Sequence, residues 1–450
     1  MKERIVILGA GESGTGAALL AQQKGYDVFV SEQNTIKEKY KEELRQHQIP
    51  FEEGSHTESV VLQASLIIKS PGIPDKADIM KKVKSAGIED IDEIEFASRY
   101  FDGKIIAITG TNGKTTTTLL TYHLLQHANF NVGLAGNVGF SMARQLTQKK
   151  VDWYVLEMSS FQIDGTKTFK PDIAILLNIT PDHLDRYEYI MQNYVDSKFR
   201  LIQNMEETKH FIYYSGDPVI TQEISKRKIK PSQIRVSLKK EPDAPVHFDG
   251  SEMCFMLSKS FGIFQDDTTL KGPHNLINTM AAVSAAYTAG VSLEKIREGL
   301  KTFKNAPHRL ESVATIKNVE FVNDSKATNV DSVVYALGSY NKPLVWIAGG
   351  IDKGNDYNII KEDVKKKVRT LICLGKDNEK LRKAFGDVVP TIKETQSVKE
   401  LVRMALSEAK EGDVVLLSPA CASFDLFRNY EDRGDQFRAA VLELKKEIEG

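Results

Sequence analysis

The sequence predicts an α/β protein of three domains, a Rossmann-like N-terminal domain, a central P-loop domain and a second Rossmann-like domain at the C-terminus. Three observations predict it. Short, nearly continuous apolar runs alternate with polar helical stretches, the pattern of strands that parallel sheets bury on both faces. The pattern restarts twice along the chain. Glycine-rich turns follow the opening strand of each of the first two series, where open α/β sheets place phosphate-binding loops.

Residues 1–95 begin with "RIVILGAG", a strand running into glycines, then "GTGAALLAQQKG" as a helix, "DVFVSE" as a strand and later "LIIKSPGIP". Residues 96–304 restart at "KIIAITGTNGKTT" and continue through the apolar strands "VDWYVLEMSS" and "PDIAILLNIT". "AAVSAAYTAGVSLEKIREGLKTF" reads as two helices divided by Gly290, and Pro307 in "NAPHRLE" punctuates a domain boundary. Residues 305–450 form the third series, with strands at "VEFVND", "PLVWIAGG", "TLICLG" and "DVVLLSPA". Charged helical segments such as "KEDVKKKV" and "SVKELVRMALSEAKEG" separate them. At 450 residues the chain exceeds one ordinary core, and no repeat of 20 to 50 residues suggests a solenoid.

Charge excludes some partners. With 60 Lys+Arg against 61 Asp+Glu the net charge is -1, so nothing electrostatic favours nucleic acid or an anionic membrane as the main partner. Cys254, Cys373 and Cys421 are odd in number and widely spaced, which predicts reduced thiols and no zinc pair. No apolar run approaches the length of a membrane span, and the N-terminus lacks the flanks of a signal peptide. The expectation is a cytoplasmic protein with no membrane insertion.

Four places carry candidate chemistry. "GAGESG" supplies Gly9, Gly11 and Gly14 between strand and helix, with Glu32 where a ribose-binding acid would stand. That arrangement favours an anion at the helix N-terminus, NAD being one candidate among several. "GTNGKTTT" offers Gly110, Gly113, Lys114 and Thr115 in a spacing shorter than the usual phosphate loop. There Lys114 would neutralise phosphate oxygens and Thr115 would present its hydroxyl to Mg²⁺. Glu157 ends a buried strand, and Asp182, His183 and Asp185 lie just beyond the next one, so these groups should converge on a nucleotide. Asn275 and Asn278, three apart on a helix, suit either the reading of a base or a helix cap. Lys198 in "YVDSKFRLI" reads as a helix-surface lysine.

A nicotinamide dehydrogenase would use the first glycine loop and leave "GTNGKTTT", Glu157 and His183 without work. A nucleotide-switch ATPase would use the second loop but neither the first domain nor the last. With these residues assembled the chain resembles the Mur ligase family over essentially its whole length. "SPGIP", "GNVG", "GTNGKTTT", "LEMSSFQ", "NITPDHLDRY", "HNLIN", "HRLE" and "NDSKATN" carry the resemblance, and "SPACASFDLF" points to its D-glutamate-adding members. The resemblance implies a ligase that uses ATP and two Mg²⁺ sites to join D-glutamate to UDP-N-acetylmuramoyl-L-alanine, acting as a monomer in peptidoglycan precursor synthesis.

It also implies roles. Ser13, Gly14, Glu32 and Gly72 would hold the UDP of the substrate, with Asn137 and His183 near the sugar side. Gly110, Thr111, Asn112, Gly113, Lys114, Thr115 and Thr116 would grip ATP, with Asn275, Asn278, Arg309 and Asp324 at adenine, phosphates and ribose. Thr115 and Glu157 would serve a first Mg²⁺, His183 and Lys198 a second, the lysine as a carbamate. Thr328, Lys353 and Ser423 would bind D-glutamate beside Tyr430, which stands where the family leads one to expect Phe and adds a hydroxyl that needs a partner.

Overall fold

A computed structural model describes residues 2–449. The apolar runs form three sheets. The first has five parallel strands in the order Phe51–Glu53, Asp27–Glu32, Arg4–Leu8, Leu66–Lys69 and Glu89–Ile91. Ile5 to Leu8 are fully buried because helices cover both faces, which is why the strand reads as unbroken aliphatics. The winding reverses at Arg4–Leu8, so a crevice opens beyond its carboxyl end, where "GAGESG" begins.

The second sheet has nine strands. Seven are parallel, in the order Val132–Gly136, Trp153–Glu157, Lys104–Thr109, Ile173–Leu176, His210–Tyr214, Ser232–Ser237 and Val246–Phe248. The antiparallel hairpin Glu252–Met256 and Ser260–Phe264 completes its edge. The third sheet orders Glu311–Ile316, Val319–Asn323, Val414–Leu417, Leu344–Ala348, Val368–Leu374 and Thr391–Thr395, all parallel except the first. The two helices expected around Gly290 are Pro273–Thr288 and Leu293–Thr302.

The chain divides into two compact units, Met1–Thr269 with Ile277–Phe303, and Leu270–Leu276 with Lys304–Gly450. The first unit holds two of the sheets, and one buried acid helps to explain why they form a single body. The Glu95 carboxylate accepts the backbone N–H groups of Lys167, Thr168 and Phe169 and the Thr168 hydroxyl. Burial works to raise its pKa, but these donors and Arg99 hold it below the usual carboxylate range. Arg144 Nε adds an ion pair with Glu12 at 2.9 Å between helices Met142–Gln148 and Glu12–Gln23. Among the described residues no helix is long and apolar enough to cross a membrane.

Candidate functional site

The second glycine loop joins the buried strand Lys104–Thr109 to helix Lys114–His127. Gly113 caps that helix at φ +82°, and a Cβ there would lie 2.4 Å from Asn278 Oδ1, so both conformation and space demand glycine. The loop is pinned from the next strand end. Asn112 N–H donates to Asn178 Oδ1 at 2.7 Å, and Thr111 Oγ donates to the Thr180 carbonyl at 3.0 Å. Lys114 Nζ donates to the carbonyls of Gly110 and Thr111 at 2.8 and 2.7 Å, which holds its charge over the loop. Thr115 and Thr116 are buried in the first turn, and Thr117 Oγ donates to Asn278 Oδ1 at 3.2 Å.

Four adjacent strand ends meet at this edge of the sheet, those of Val132–Gly136, Trp153–Glu157, Lys104–Thr109 and Ile173–Leu176. They carry Asn137, Glu157, the glycine loop and the segment from Asn178 to His183. Glu157 is 1% exposed, and its Oε1 accepts Asn137 Nδ2 at 2.6 Å while Oε2 has no hydrogen-bond partner among the described residues. A buried carboxylate oxygen left in this way suits a cation. His183 is exposed on a left-handed turn, edge-on to the Phe161 ring at 5.3 Å, with Nε2 3.5 Å from Asp182 Oδ2.

Lys198 corrects the reading from sequence. It is 2% exposed, with Nζ donating to the Gly110 carbonyl at 3.0 Å and lying 4.6 Å from the centre of the Tyr194 ring. Helix Met191–Phe199 turns Tyr194 and Lys198, four apart, inward together. Burial and then the neighbouring Lys114 charge push its pKa well below the usual lysine value, against the pull of Asp182 and Asp164.

At the first sheet, Ala10 N–H donates to Glu32 Oε2 at 2.9 Å, so the acid lies against the "GAGESG" loop. Ser13 and Gly14 open the helix beyond it. A cavity of about 520 Å³ adjoins this crevice, and Gly72, Gln33 and His56 are among its lining residues. Arg186 Nη groups donate to the carbonyls of Pro71 and Gly72 at 3.2 and 3.3 Å, joining this rim to the His183 segment. A Cβ on Gly14 would lie 1.9 Å from the Gly9 carbonyl oxygen. Gly14→Ala is therefore expected to destabilise the protein by about 1–3 kcal/mol. The thermal midpoint of the variant, measured beside that of the unaltered protein, checks this.

In the second unit three neighbouring parallel strands, Val319–Asn323, Val414–Leu417 and Leu344–Ala348, precede Thr328, Ser423 and Lys353 respectively. Ser423 is buried, Thr328 is half-buried, and Lys353 is exposed with no ion pair among the described residues. Asp324 is buried, accepting Ser418 Oγ at 2.9 Å and Leu310 N–H at 3.2 Å. Burial raises its pKa to about 7 against those bonds and the Arg309 charge. Tyr430 stands edge-on to His308 at 6.2 Å between ring centres, under the Lys326 ammonium at 5.3 Å. Asn275 Nδ2 donates to the Lys271 carbonyl at 2.8 Å near the start of its helix.

Comparison with known proteins accounts for all three sheets. The MurD N-terminal domain matches residues 4–79, the Mur ligase middle domain 108–286 and the Mur ligase glutamate ligase domain 308–421. The UDP-N-acetylmuramoylalanine--D-glutamate ligase of Cytophaga hutchinsonii is 54% identical, covering 99% of this chain and 100% of its own. The chain belongs to the Mur ligase family. The enzyme of the same name from Bacteroides thetaiotaomicron is 49% identical to this Mur ligase over 98% of the chain and all of its own. Among solved structures, a pseudomurein peptide ligase type C from Methanothermus fervidus shares the fold, with TM-score 0.63 and 20% identity over 98% of this chain and 100% of that one.

Arg433 is a residue of this Mur ligase that sequence reasoning missed. It is 1% exposed and donates to the hydroxyl and carbonyl of Ser325 at 2.9 Å and to the carbonyls of Gly349 and Cys421 at 3.3 Å. One guanidinium thus ties together the three strand-end loops that carry Thr328, Lys353 and Ser423. Burial lowers its pKa to about 10, so it stays charged. The signal was available. Arg433, Phe437, Ala440, Val441 and Leu444 form one helical stripe, and the arginine sits on its buried face.

Proposed function

We propose that this Mur ligase is the cytoplasmic enzyme that joins D-glutamate to UDP-N-acetylmuramoyl-L-alanine at the expense of ATP. The observation that carries the reading is the convergence of Lys114, Glu157, Lys198 and the 178–183 segment at one carboxyl edge of the central sheet. The identity to D-glutamate ligases along the whole chain selects the substrates. In this reading residues 1–95 hold the UDP moiety, 96–304 the ATP and 305–450 the amino acid.

A carboxylate does not condense with an amine in water at useful rates, so it must first take the γ-phosphoryl group and become an acyl phosphate. Bound Mg²⁺ would offset the repulsion between the two anions that meet in that step. Glu157, with its unpartnered Oε2, and Thr115 would hold one ion, and His183 with a carbamate on Lys198 another. Backbone N–H groups of the loop from Gly110 to Gly113, at a helix N-terminus, would cradle the phosphates. Lys114 would stabilise the charge that develops on the transferring group. The amine of D-glutamate then attacks the acyl carbon, and phosphate leaves.

Lys198 suits carbamate formation because only an amine without its proton reacts with CO₂, and its surroundings favour the neutral amine. In the second unit, Lys353 would pair with one carboxylate of D-glutamate beside Thr328 and Ser423. Lys353→Ala is expected to raise the KM for D-glutamate roughly ten- to a hundredfold while leaving the KM for ATP nearly unchanged, the scale of one lost charged hydrogen bond. Poorer ATP use with normal D-glutamate KM would reassign the loop. The reading as a whole is tested by phosphate release from ATP and UDP-N-acetylmuramoyl-L-alanine across a panel of amino acids. D-glutamate should be the strong substrate, and equal turnover with L-alanine or a diamino acid would refute the assignment.

A further inference from the structure

A hydrogen-bond relay with a fixed direction lies behind His56, which lines the cavity beside the first glycine loop. Ser31 Oγ, fully buried at the end of strand Asp27–Glu32, lies 2.6 Å from Glu52 Oε1 and 2.6 Å from His56 Nδ1. Glu52 also accepts Thr57 N–H at 2.8 Å and the Thr57 hydroxyl at 2.5 Å. Burial opposes ionisation of Glu52, but the Ser31 and Thr57 donors hold its pKa below the usual value, so the group is a carboxylate that can only accept.

The Ser31 hydroxyl has one hydrogen, and at 2.6 Å from a carboxylate oxygen it must point there. Its remaining lone pairs then accept from His56, which places the ring hydrogen on Nδ1. Burial keeps the imidazole neutral against the attraction of Glu32 and Glu52. Its other nitrogen, Nε2, is therefore a bare acceptor, with no partner among the described residues. The ring lines the cavity together with Gln33, Glu58, Gly72 and Ile73.

Resting on the reading of this sheet as the holder of the UDP moiety, we infer that His56 selects uracil by accepting its ring imide N–H at Nε2. Ser31 and Glu52 act as positioning residues that set the tautomer. Uracil presents an N–H between two carbonyl oxygens. Cytosine presents a lone pair at the same ring position, which would face the Nε2 lone pair with no hydrogen between them. The relay thus discriminates by repulsion as well as by attraction.

Calorimetry on the full chain with UDP, CDP and N3-methyl-UDP tests this. UDP should bind about tenfold or more tighter than either analogue, the discrimination expected when a site built for one hydrogen bond leaves it unmade. His56→Phe, which keeps a ring but removes the acceptor, should bring the UDP-to-CDP ratio close to one. Ser31→Ala should lower that ratio with His56 still present, a result that a purely structural serine would not give. Equal binding of UDP and N3-methyl-UDP by the unaltered protein, or an unchanged ratio in His56→Phe, would overturn the role of His56 while leaving the sheet as a UDP holder. If UDP itself fails to bind, the reading of the sheet falls, and the inference with it.

Discussion

Lys114→Ala is expected to lower kcat about 10³-fold or more, with formation of ADP and of ligated product falling together. The magnitude is that of removing a fixed donor from a site where charge develops on a phosphoryl group. The ammonium is held over the loop by the carbonyls of Gly110 and Thr111, and it is the side chain that opens helix Lys114–His127. Loss of those two bonds at a half-buried helix end should cost little stability, because Asn112 and Thr111 are fixed independently by Asn178 and Thr180. Circular dichroism and the thermal midpoint should therefore stay close to those of the unaltered protein.

The same variant should have a second effect. Lys114 is one of the two causes that depress the pKa of Lys198, so its removal should raise that pKa and leave more of the buried amine protonated. Lys114→Met and Lys114→Ala should behave alike in both respects. Turnover near that of the unaltered protein in either variant would remove the loop from the phosphoryl-transfer step.

The parts of this architecture that were legible in sequence are those in which one local pattern answers to one physical demand. Strands such as Arg4–Leu8, Trp153–Glu157 and Leu344–Ala348 are buried on both faces, so hydrophobic runs announce them. Glycines at 14 and 113 are dictated by close approach, by Gly9 O in one case and Asn278 Oδ1 in the other, and they stand out as a motif for that reason. The edge hairpin Glu252–Met256 and Ser260–Phe264 was not anticipated, because only alternate residues of its strands need be apolar and the strands are short.

Burial of charge was the harder property. Lys198 and Arg433 belong to helices whose inward stripes are mainly aromatic or aliphatic, and for Lys198 polarity suggested solvent where position indicated the interior. The Ser31, Glu52 and His56 relay is assembled from two strands and a loop, and no spacing in the sequence brings those residues together. Side-chain chemistry identifies such residues only once the topology has made them neighbours.

Lys198→Ala is expected to lose activity at least about a hundredfold, and a small carboxylate such as acetate should restore part of it in a saturable way. An ammonium at this position would repel a divalent cation, whereas a carbamate presents the oxygen ligands that hard cations prefer. The amine is enclosed at 2% exposure against Tyr194 and the Gly110 carbonyl, so deletion of the side chain leaves a space lined by the same groups that would have faced the carbamate. Acetate fits that chemistry by supplying a carboxylate at the place of the missing one. Lys198→Arg should be inactive and should not respond to acetate, because a guanidinium fills the space with a charge that no surroundings remove. Intact mass measured under bicarbonate should show the added CO₂ on the unaltered chain and not on either variant. High activity in Lys198→Arg, or indifference of Lys198→Ala to acetate together with an unmodified mass, would mean that the lysine acts as a simple cation or a packing group, and the carbamate would have to be abandoned.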